Sequence, residues 1–210
     1  SKAFLHPVMN RPNLRVSTGA HVVRLRMADR RCNGIEFRHA GEDTFAEARL
    51  ETILATGSIG SPQILQLSGI GPAPLLREHG ISVVHELPGV GENLQDHLQL
   101  RTVFKVRNAV TLNQRANSLV GKMMMGLEYA LFRTGPLTMA PSQLGAFAKS
   151  DPARETPDLE YHVQPLSLEK FGDPLHTFPA FTVSVCNLQP TSRGHVRLRS
   201  ADPADAPRIK

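Results

Sequence analysis

The sequence predicts a protein of mixed α+β and α/β class, and two observations lead to this. A strand, a glycine turn and a helix follow one another between residues 52 and 71, which is how an α/β sheet presents backbone N–H groups to a ligand. After residue 98, four segments alternate apolar and polar residues with a period of two. That alternation is typical of antiparallel strands with one covered face. We therefore expect part of a ligand-binding layer first, and then an antiparallel sheet with covering helices.

The first half contains short strands separated by turns. Four strands are expected before the glycine turn, at residues 14–18, 22–27, 34–38 and 44–50. Polar turns at residues 29–31 and 41–43 join the later three as hairpins. A fifth strand, Glu51–Ala55, leads into the turn.

The glycine turn has residues suited to each step of a strand-to-helix connection. Gly57 and Gly60 lack a Cβ, so the chain can turn sharply and a ligand can approach the backbone. Ser61 is expected to cap the helix, with Pro62 at its first position. Gly69 is expected to end it. By itself such a turn more often serves packing alone, so both interpretations stand at this point.

In the second half, strands are expected at residues 98–107, 159–164, 181–186 and 195–199. Between the first two, apolar residues recur at helical spacing from Leu119 to Leu131, and Gly135 with Pro136 ends this helix. The methionines at 123–125 are expected to fill the core.

Composition excludes several functional classes. No apolar run approaches the ~20 residues of a membrane span, and no His, Cys, Asp or Glu cluster has metal-ligand spacing. The net charge is +5, but the arginines are scattered and form no nucleic-acid-binding stripe. A basic surface-binding protein remains a weaker alternative. Cys32 and Cys186 lie far apart and are expected to be reduced thiols of a cytoplasmic protein.

The run from Gly57 to Gly71 resembles the second signature of the glucose-methanol-choline (GMC) family of flavoenzymes. Residues 80–81, 85–97, 134–137 and 193–198 are similar to the family as well, so the resemblance covers essentially the whole chain. It is closest to the choline-dehydrogenase-like branch. The resemblance implies an FAD-dependent alcohol oxidoreductase, in which a base takes the hydroxyl proton and hydride passes from the alcohol carbon to the flavin.

The resemblance also implies two domains and a set of cofactor-binding residues. Residues 1–97 correspond to part of the FAD-binding domain and residues 98–210 to part of the substrate-binding domain. The implied cofactor-binding positions form three groups: Val22 and Val23 at the adenine; Ala55, Thr56 and Gly57 along the adenosine half; and Asp96 and His97 beside the cofactor. Plain core packing is the alternative for the valine pair, and a structural role or an acid–base pair for Asp96 and His97.

No catalytic residue is assigned within these 210 residues. The family's Gly-x-Gly-x-x-Gly turn and its C-terminal catalytic histidine pair have no counterpart here, and His195 is expected on a solvated, arginine-rich face. Ser142 and Gln143 can reach a substrate pocket or lie in an ordinary loop. We therefore expect an internal piece of a longer enzyme, inactive alone and weak in FAD binding. The alternative is a stand-alone, non-catalytic binding or scaffold module. The alcohol substrate and the electron acceptor stay open.

Overall fold

The computed structural model describes residues 2–140, 142–170 and 172–210. These form two compact units. One contains the chain up to Gln95 together with Ser192–Lys210, and the other is Asp96–Thr191. The first break falls close to the expected boundary at residue 97, but residues 192–210 pack with the first unit instead of the second. Whether the units are the cofactor-binding and substrate-binding domains stays a prediction.

The first unit begins with a three-stranded antiparallel meander. It consists of β1 (Ala20–Ala28), β2 (Arg31–His39) and β3 (Glu42–Glu47), in that order across the sheet. The turns use left-handed backbone at Asp29, with φ 52°, and at Gly41, with φ 86°. The predicted hairpins are therefore confirmed. The strand predicted at residues 14–18 is wrong, because that segment pairs with no described strand.

Helix α1 (Gly57–Leu67) follows the glycine turn, but it begins earlier than predicted. Thr56 is its N-cap residue, and Ser61 and Pro62 lie inside the helix instead of starting it. The cause is Gly57, whose φ of +79° completes the turn before the Ser-Pro signal is reached. The predicted end is confirmed, since Gly69 adopts φ +79° directly after the helix.

Residues 51–55 do not form the predicted strand. No strand among the described residues is hydrogen-bonded to them. Ile53 in this run is 80% exposed. A strand exists only through hydrogen bonds to a neighbour, so an apolar sequence without a neighbouring strand remains irregular.

The rest of the first unit surrounds α1. Strands β4 (Ile70–Gly71) and β5 (His85–Glu86) pair in parallel around helix α2 (Ala73–Glu78). A three-stranded sheet places β11 (Gly194–Arg197) between β6 (Glu92–Leu94) and β12 (Arg208–Ile209). The buried apolar residues of this unit are Leu25, Ile64, Leu67, Ala73, Leu76, Val90, Val196 and Leu198.

Gln66 holds residues 192–210 against the first unit through hydrogen bonds. Its side chain is fully buried, at 0% exposure. The amide Nε2 donates to the carbonyls of Val90, at 3.3 Å, and Val196, at 3.0 Å. Its Oε1 accepts from the Leu198 N–H at 3.0 Å. One polar side chain of α1 therefore forms hydrogen bonds with backbone groups of two distant segments. These bonds account for the packing of residues 192–210 with the first unit.

The second unit is built on a four-stranded antiparallel sheet. Its strands are β7 (Gln99–Lys105), β8 (Leu144–Ala148), β9 (Leu159–Gln164) and β10 (Ala180–Asn187), in the order β7-β10-β9-β8. Three of the four predicted strands lie here. The fourth is β11, which belongs to the first unit. Strand β8 was missed because its sequence, Leu-Gly-Ala-Phe-Ala, does not alternate apolar with polar residues.

Helices α3 (Leu112–Asn117) and α4 (Leu119–Phe132) also lie in the second unit. The predicted helix is confirmed as α4, but most of its apolar residues are exposed. We call seven residues, each 59–82% exposed, the apolar α4 face: Leu119, Val120, Met123, Met124, Leu127, Leu131 and Phe132. Only Met125 of the methionine run is buried, so the core-filling prediction is wrong for Met123 and Met124.

Candidate functional site

The glycine turn before α1 presents open backbone. Ala55, Thr56 and Gly57 are all exposed. A Cβ added at Gly57 would have no atom within 4 Å, and the hydroxyl oxygens of Thr56 and Ser61 lie 3.1 Å apart beside it. The turn therefore leaves room for a ligand to contact the backbone directly.

The valine pair lies elsewhere in the same unit. Val22 and Val23 are half-buried in β1. That strand meets α1 where the helix ends, because the Leu25 N–H donates to Ser68 Oγ at 2.8 Å. The valine pair and the glycine turn therefore lie in the same unit, and the elements that carry them pack together. The bond between those elements, however, lies at the opposite end of the helix from Gly57.

Two of the cavities that border these elements lie next to α1. One, of about 430 Å³, lies beside the first half of α1, next to the glycine turn. Its lining residues are Ser58, Ser61, Pro62, Leu65, Val90, Gly91, Glu92, Asn93, Leu94, Gln95 and Val196. The other, of about 560 Å³, lies between β1 and the end of α1 and includes Val23. This second cavity is lined in part by the ion pair of Arg24 and Glu36, whose N–O distance is 2.8 Å. These charged side chains make the cavity more polar than we expect of a binding site for an aromatic ring.

Asp96 and His97 begin the second unit, and both are exposed. The Asp96 carboxylate accepts a hydrogen bond at 2.9 Å from the backbone N–H of His97, not from its imidazole. This contact is not the carboxylate–imidazole bond of an acid–base pair. Their proximity to a cofactor stays a prediction.

The buried side of strand β10 is polar at its centre, and we call it the polar side. Thr182, Ser184 and Cys186 are buried, whereas the apolar residues that alternate with them are half-exposed. The register places Ser184 between Arg101 of β7 and His162 of β9. Alternation shows that a strand has two different faces, but packing decides which of them is covered.

Among the polar groups on this side, two side-chain oxygens have no hydrogen-bond partner within the described part of the chain. They are Ser184 Oγ, in a residue that is 1% exposed, and Gln164 Oε1. Gln164 Nε2 contacts Ser142 Oγ at 3.4 Å, and the neighbouring Gln143 N–H donates to Val163 O at 3.0 Å. The predicted Ser142–Gln143 segment therefore adjoins this polar side. Nothing in the sequence distinguished Ser184 and Gln164 from ordinary solvated strand residues.

The carboxylates with a shifted pKa lie outside these surfaces. Hydrogen bonds from the Arg38 guanidinium lower the pKa of Asp43 at the β2–β3 turn. Hydrogen bonds from the Ser150 hydroxyl and backbone N–H lower the pKa of Asp158. Both shifts stabilise the charged carboxylate, as expected of structural contacts and not of a general base poised near neutral pH.

Among the described residues, no three His, Cys, Asp or Glu side chains are placed to hold a metal ion. Each helix in the described part of the chain is too short or too polar to span a membrane.

Comparisons with known proteins indicate the family to which this sequence is similar. Residues 1–99 match the family model described as GMC oxidoreductase. The whole chain is 39% identical over 212 residues to an alcohol dehydrogenase [acceptor] of Pseudomonas putida. It is 37% identical over 210 residues to an oxygen-dependent choline dehydrogenase of Brucella ovis. Over residues 1–99 the chain therefore matches the GMC oxidoreductase family, as the signature residues predicted.

The fold comparison agrees with this. The structure matches that of a formate oxidase from Aspergillus oryzae RIB40 with a TM-score of 0.86 and 26% identity, covering 96% of this chain and 40% of that one. The chain spans 38% of the length of the two curated relatives. The predicted mixed α/β architecture with antiparallel sheets is confirmed.

Proposed function

We propose that this chain forms part of an FAD-dependent oxidoreductase that oxidises a small alcohol, choline and similar CH–OH donors being the first candidates. The observation that carries this proposal is the alignment of the entire chain, at 39% identity, with the alcohol dehydrogenase [acceptor] of Pseudomonas putida. Because the chain aligns with such an enzyme over its full length, we expect it to form the corresponding part of a similar enzyme. The electron acceptor is left open.

The glycine turn fits an FAD-binding role. Its exposed residues and the open space at Gly57 allow a large ligand to lie against the backbone. In this proposal Ala55, Thr56 and Gly57 hold the adenosine half, and Val22 and Val23 present an edge of β1 to the adenine. When bound, FAD supplies the hydride acceptor, and the protein supplies position and electrostatics. Asp96 and His97 complete the set of proposed cofactor-binding residues.

The polar side of the four-stranded sheet fits a substrate-binding role. Ser184 and Gln164 offer buried hydrogen-bonding groups without a protein partner among the described residues. Buried polar groups are usually paired with protein, water or ligand. In the proposed enzyme these groups orient the alcohol or ordered water near it. They hold the substrate but do not remove its proton, so the base must come from another part of the enzyme.

The apolar α4 face supports a role within a larger protein. Contiguous apolar surface of this kind on a soluble unit usually marks a contact with more protein. We further propose that the 210-residue chain alone neither oxidises alcohols nor binds FAD tightly, because the family's catalytic histidine and its Gly-x-Gly-x-x-Gly turn have no counterpart among these residues. We also place the enzyme in the cytoplasm, because Cys32 and Cys186 are both free thiols.

Sequencing the coding region on both sides of this segment tests the proposal first. An in-frame Gly-x-Gly-x-x-Gly turn upstream and a histidine pair downstream are expected. Native start and stop codons bounding these 210 residues would instead favour a non-catalytic binding module.

The cofactor site is tested in the protein encoded by that whole reading frame. Gly57→Val places a side chain in the open space at the turn and is expected to lower FAD affinity by about tenfold or more. Gly41→Val is the matched control, because Gly41 also has positive φ and open surroundings but lies in the β2–β3 turn. Equal flavin content in the two variants would contradict the assignment.

A further inference from the structure

Strand β8 forms an outer edge of the four-stranded sheet. It comes last in the order β7-β10-β9-β8, so among the described strands only β9 pairs with it. An edge strand directs alternate N–H and C=O groups away from its sheet, where a further strand can bond to them. Most of β8 is exposed, with Leu144 at 67% and Phe147 at 64%. The outer edge of β8 therefore presents backbone hydrogen-bonding groups beside exposed apolar side chains.

The composition of β8 differs from that of the other sheet edges. Its sequence, Leu-Gly-Ala-Phe-Ala, contains neither a charged residue nor a proline. Proteins usually place such residues on an open edge, because they hinder pairing with a further strand. In the described sheets of three or more strands, every other edge strand carries a charge: Arg24 in β1, Glu42 in β3, Glu92 in β6, Arg101 in β7 and Arg208 in β12. Strand β8 thus lacks the residues that keep an edge open in solution.

The register of β8 shows which side chains an added strand would meet. Gly145 pairs with His162, which pairs in turn with Ser184, so Gly145 lies on the polar side of the sheet. A Cβ built at Gly145 would have Tyr161 O, at 3.5 Å, as its nearest contact. A glycine at a sheet edge pairs well with a large side chain on the neighbouring strand, which covers the backbone that glycine leaves bare. We therefore expect a bulky residue opposite Gly145.

The small extent of this edge indicates what kind of partner binds it. A stable interface between separate proteins buries about 800 Å² on each partner, from roughly 20–30 residues. Strand β8 has five residues, which is too few to hold a second copy of the chain. A strand of the same polypeptide needs fewer contacts, because it does not lose the freedom of a separate molecule. The curated relatives are long enough to contain one, since this chain spans 38% of their length.

We propose that the outer edge of β8 pairs with a further strand of the same enzyme, from outside these 210 residues, which extends the four-stranded sheet. This strand is an extended apolar segment with an aromatic or β-branched residue opposite Gly145. It covers Leu144 and Phe147 and satisfies the outward backbone groups of β8. The inference rests on the proposed function, because it requires the chain to be part of a longer enzyme.

Amide hydrogen exchange in two proteins tests this pairing: the 210-residue chain and the protein encoded by the whole reading frame. Alternate amides of residues 145–148 face outward in the shorter chain and should exchange freely. In the whole protein the same amides should exchange at least about tenfold more slowly. Strand β10, paired on both sides, is the internal reference. The charged edge β3 is the matched control and should exchange alike in both proteins.

The outcomes separate this inference from the proposed function. Equal exchange of β8 in the two proteins would overturn the inference, as would an equal gain of protection at β3. Flavin content of the whole protein reports the proposed function independently, so a flavin-binding protein with an open β8 edge contradicts the inference alone. A reading frame that ends with these 210 residues contradicts both. Protection of β8 that rises with the concentration of the shorter chain would identify a second copy as the partner instead.

Gly145→Val tests the expected bulky residue on the added strand. In the 210-residue chain this change should not lower the midpoint of thermal unfolding, because the new side chain has room and valine suits a strand. In the whole protein it should lower the midpoint by about 2 °C or more, since the bulky residue loses its place. Ala46→Val, on the exposed edge β3, is the control and should act alike in both proteins. An equal effect of Gly145→Val in both would contradict the proposed pairing.

Discussion

Replacement of Gln66 by leucine tests how the 192–210 segment is attached to the first unit. The change keeps the size of the side chain but removes three hydrogen bonds, to Val90 O, Val196 O and the Leu198 N–H. Each buried group left unpaired costs about 1–3 kcal/mol, and the apolar leucine recovers roughly 1 kcal/mol. We therefore expect the free energy of unfolding to fall by about 2–8 kcal/mol, a large part of a typical domain's stability.

The control is Gln63→Leu in the same helix. Gln63 is only partly buried and makes one hydrogen bond, at 2.9 Å to Asp205 O, so its loss should cost less than about 1 kcal/mol. The assay is urea unfolding followed by far-UV circular dichroism, because the sequence has no tryptophan. Limited proteolysis should also cut residues 192–210 faster in Gln66→Leu. Equal stability of the two variants would refute the argument.

Two further predictions concern a tight turn and acid stability. A Cβ at Gly91 would lie 2.1 Å from Val196 O at φ +83°, so Gly91→Ala should lower the midpoint of thermal unfolding, whereas Gly89→Ala, in open space, should not. The pKa of Asp158 is lowered by hydrogen bonds from Ser150, so its contribution is present above the unfolded value, about 3.9, and is lost as pH falls through the folded value. Asp158→Asn should flatten the pH dependence of unfolding below about pH 5, and an unchanged profile would contradict this.

Local sequence signals were sufficient for the elements that depend on local contacts. The hairpins of β1, β2 and β3 follow from turn residues between alternating strands, and α4 follows from its 3.6-residue period. The end of α1 follows from Gly69. Its start did not, because the Ser61-Pro62 signal was preceded by Gly57, whose positive φ begins the helix earlier.

The remaining features depend on contacts between residues far apart in the sequence, which the spacing of apolar residues does not reveal. The apolar run at residues 51–55 has the composition of a strand but no bonded neighbour among the described residues. Strand β11 alternates like its predicted sheet partners, yet it pairs with β6, about a hundred residues earlier in the chain. Ser184 lies on the covered side of β10 because of what packs there. The resemblance supplied the family, and whether Val22 contacts a cofactor stays a prediction.

The most direct test of the proposed function is anaerobic titration of the protein encoded by the whole reading frame. We expect this protein to carry bound FAD, and choline or another small alcohol to bleach the visible absorbance of the flavin. The 210-residue chain should show neither property. A full-length protein without flavin, or with flavin that no small alcohol reduces, would contradict the proposal.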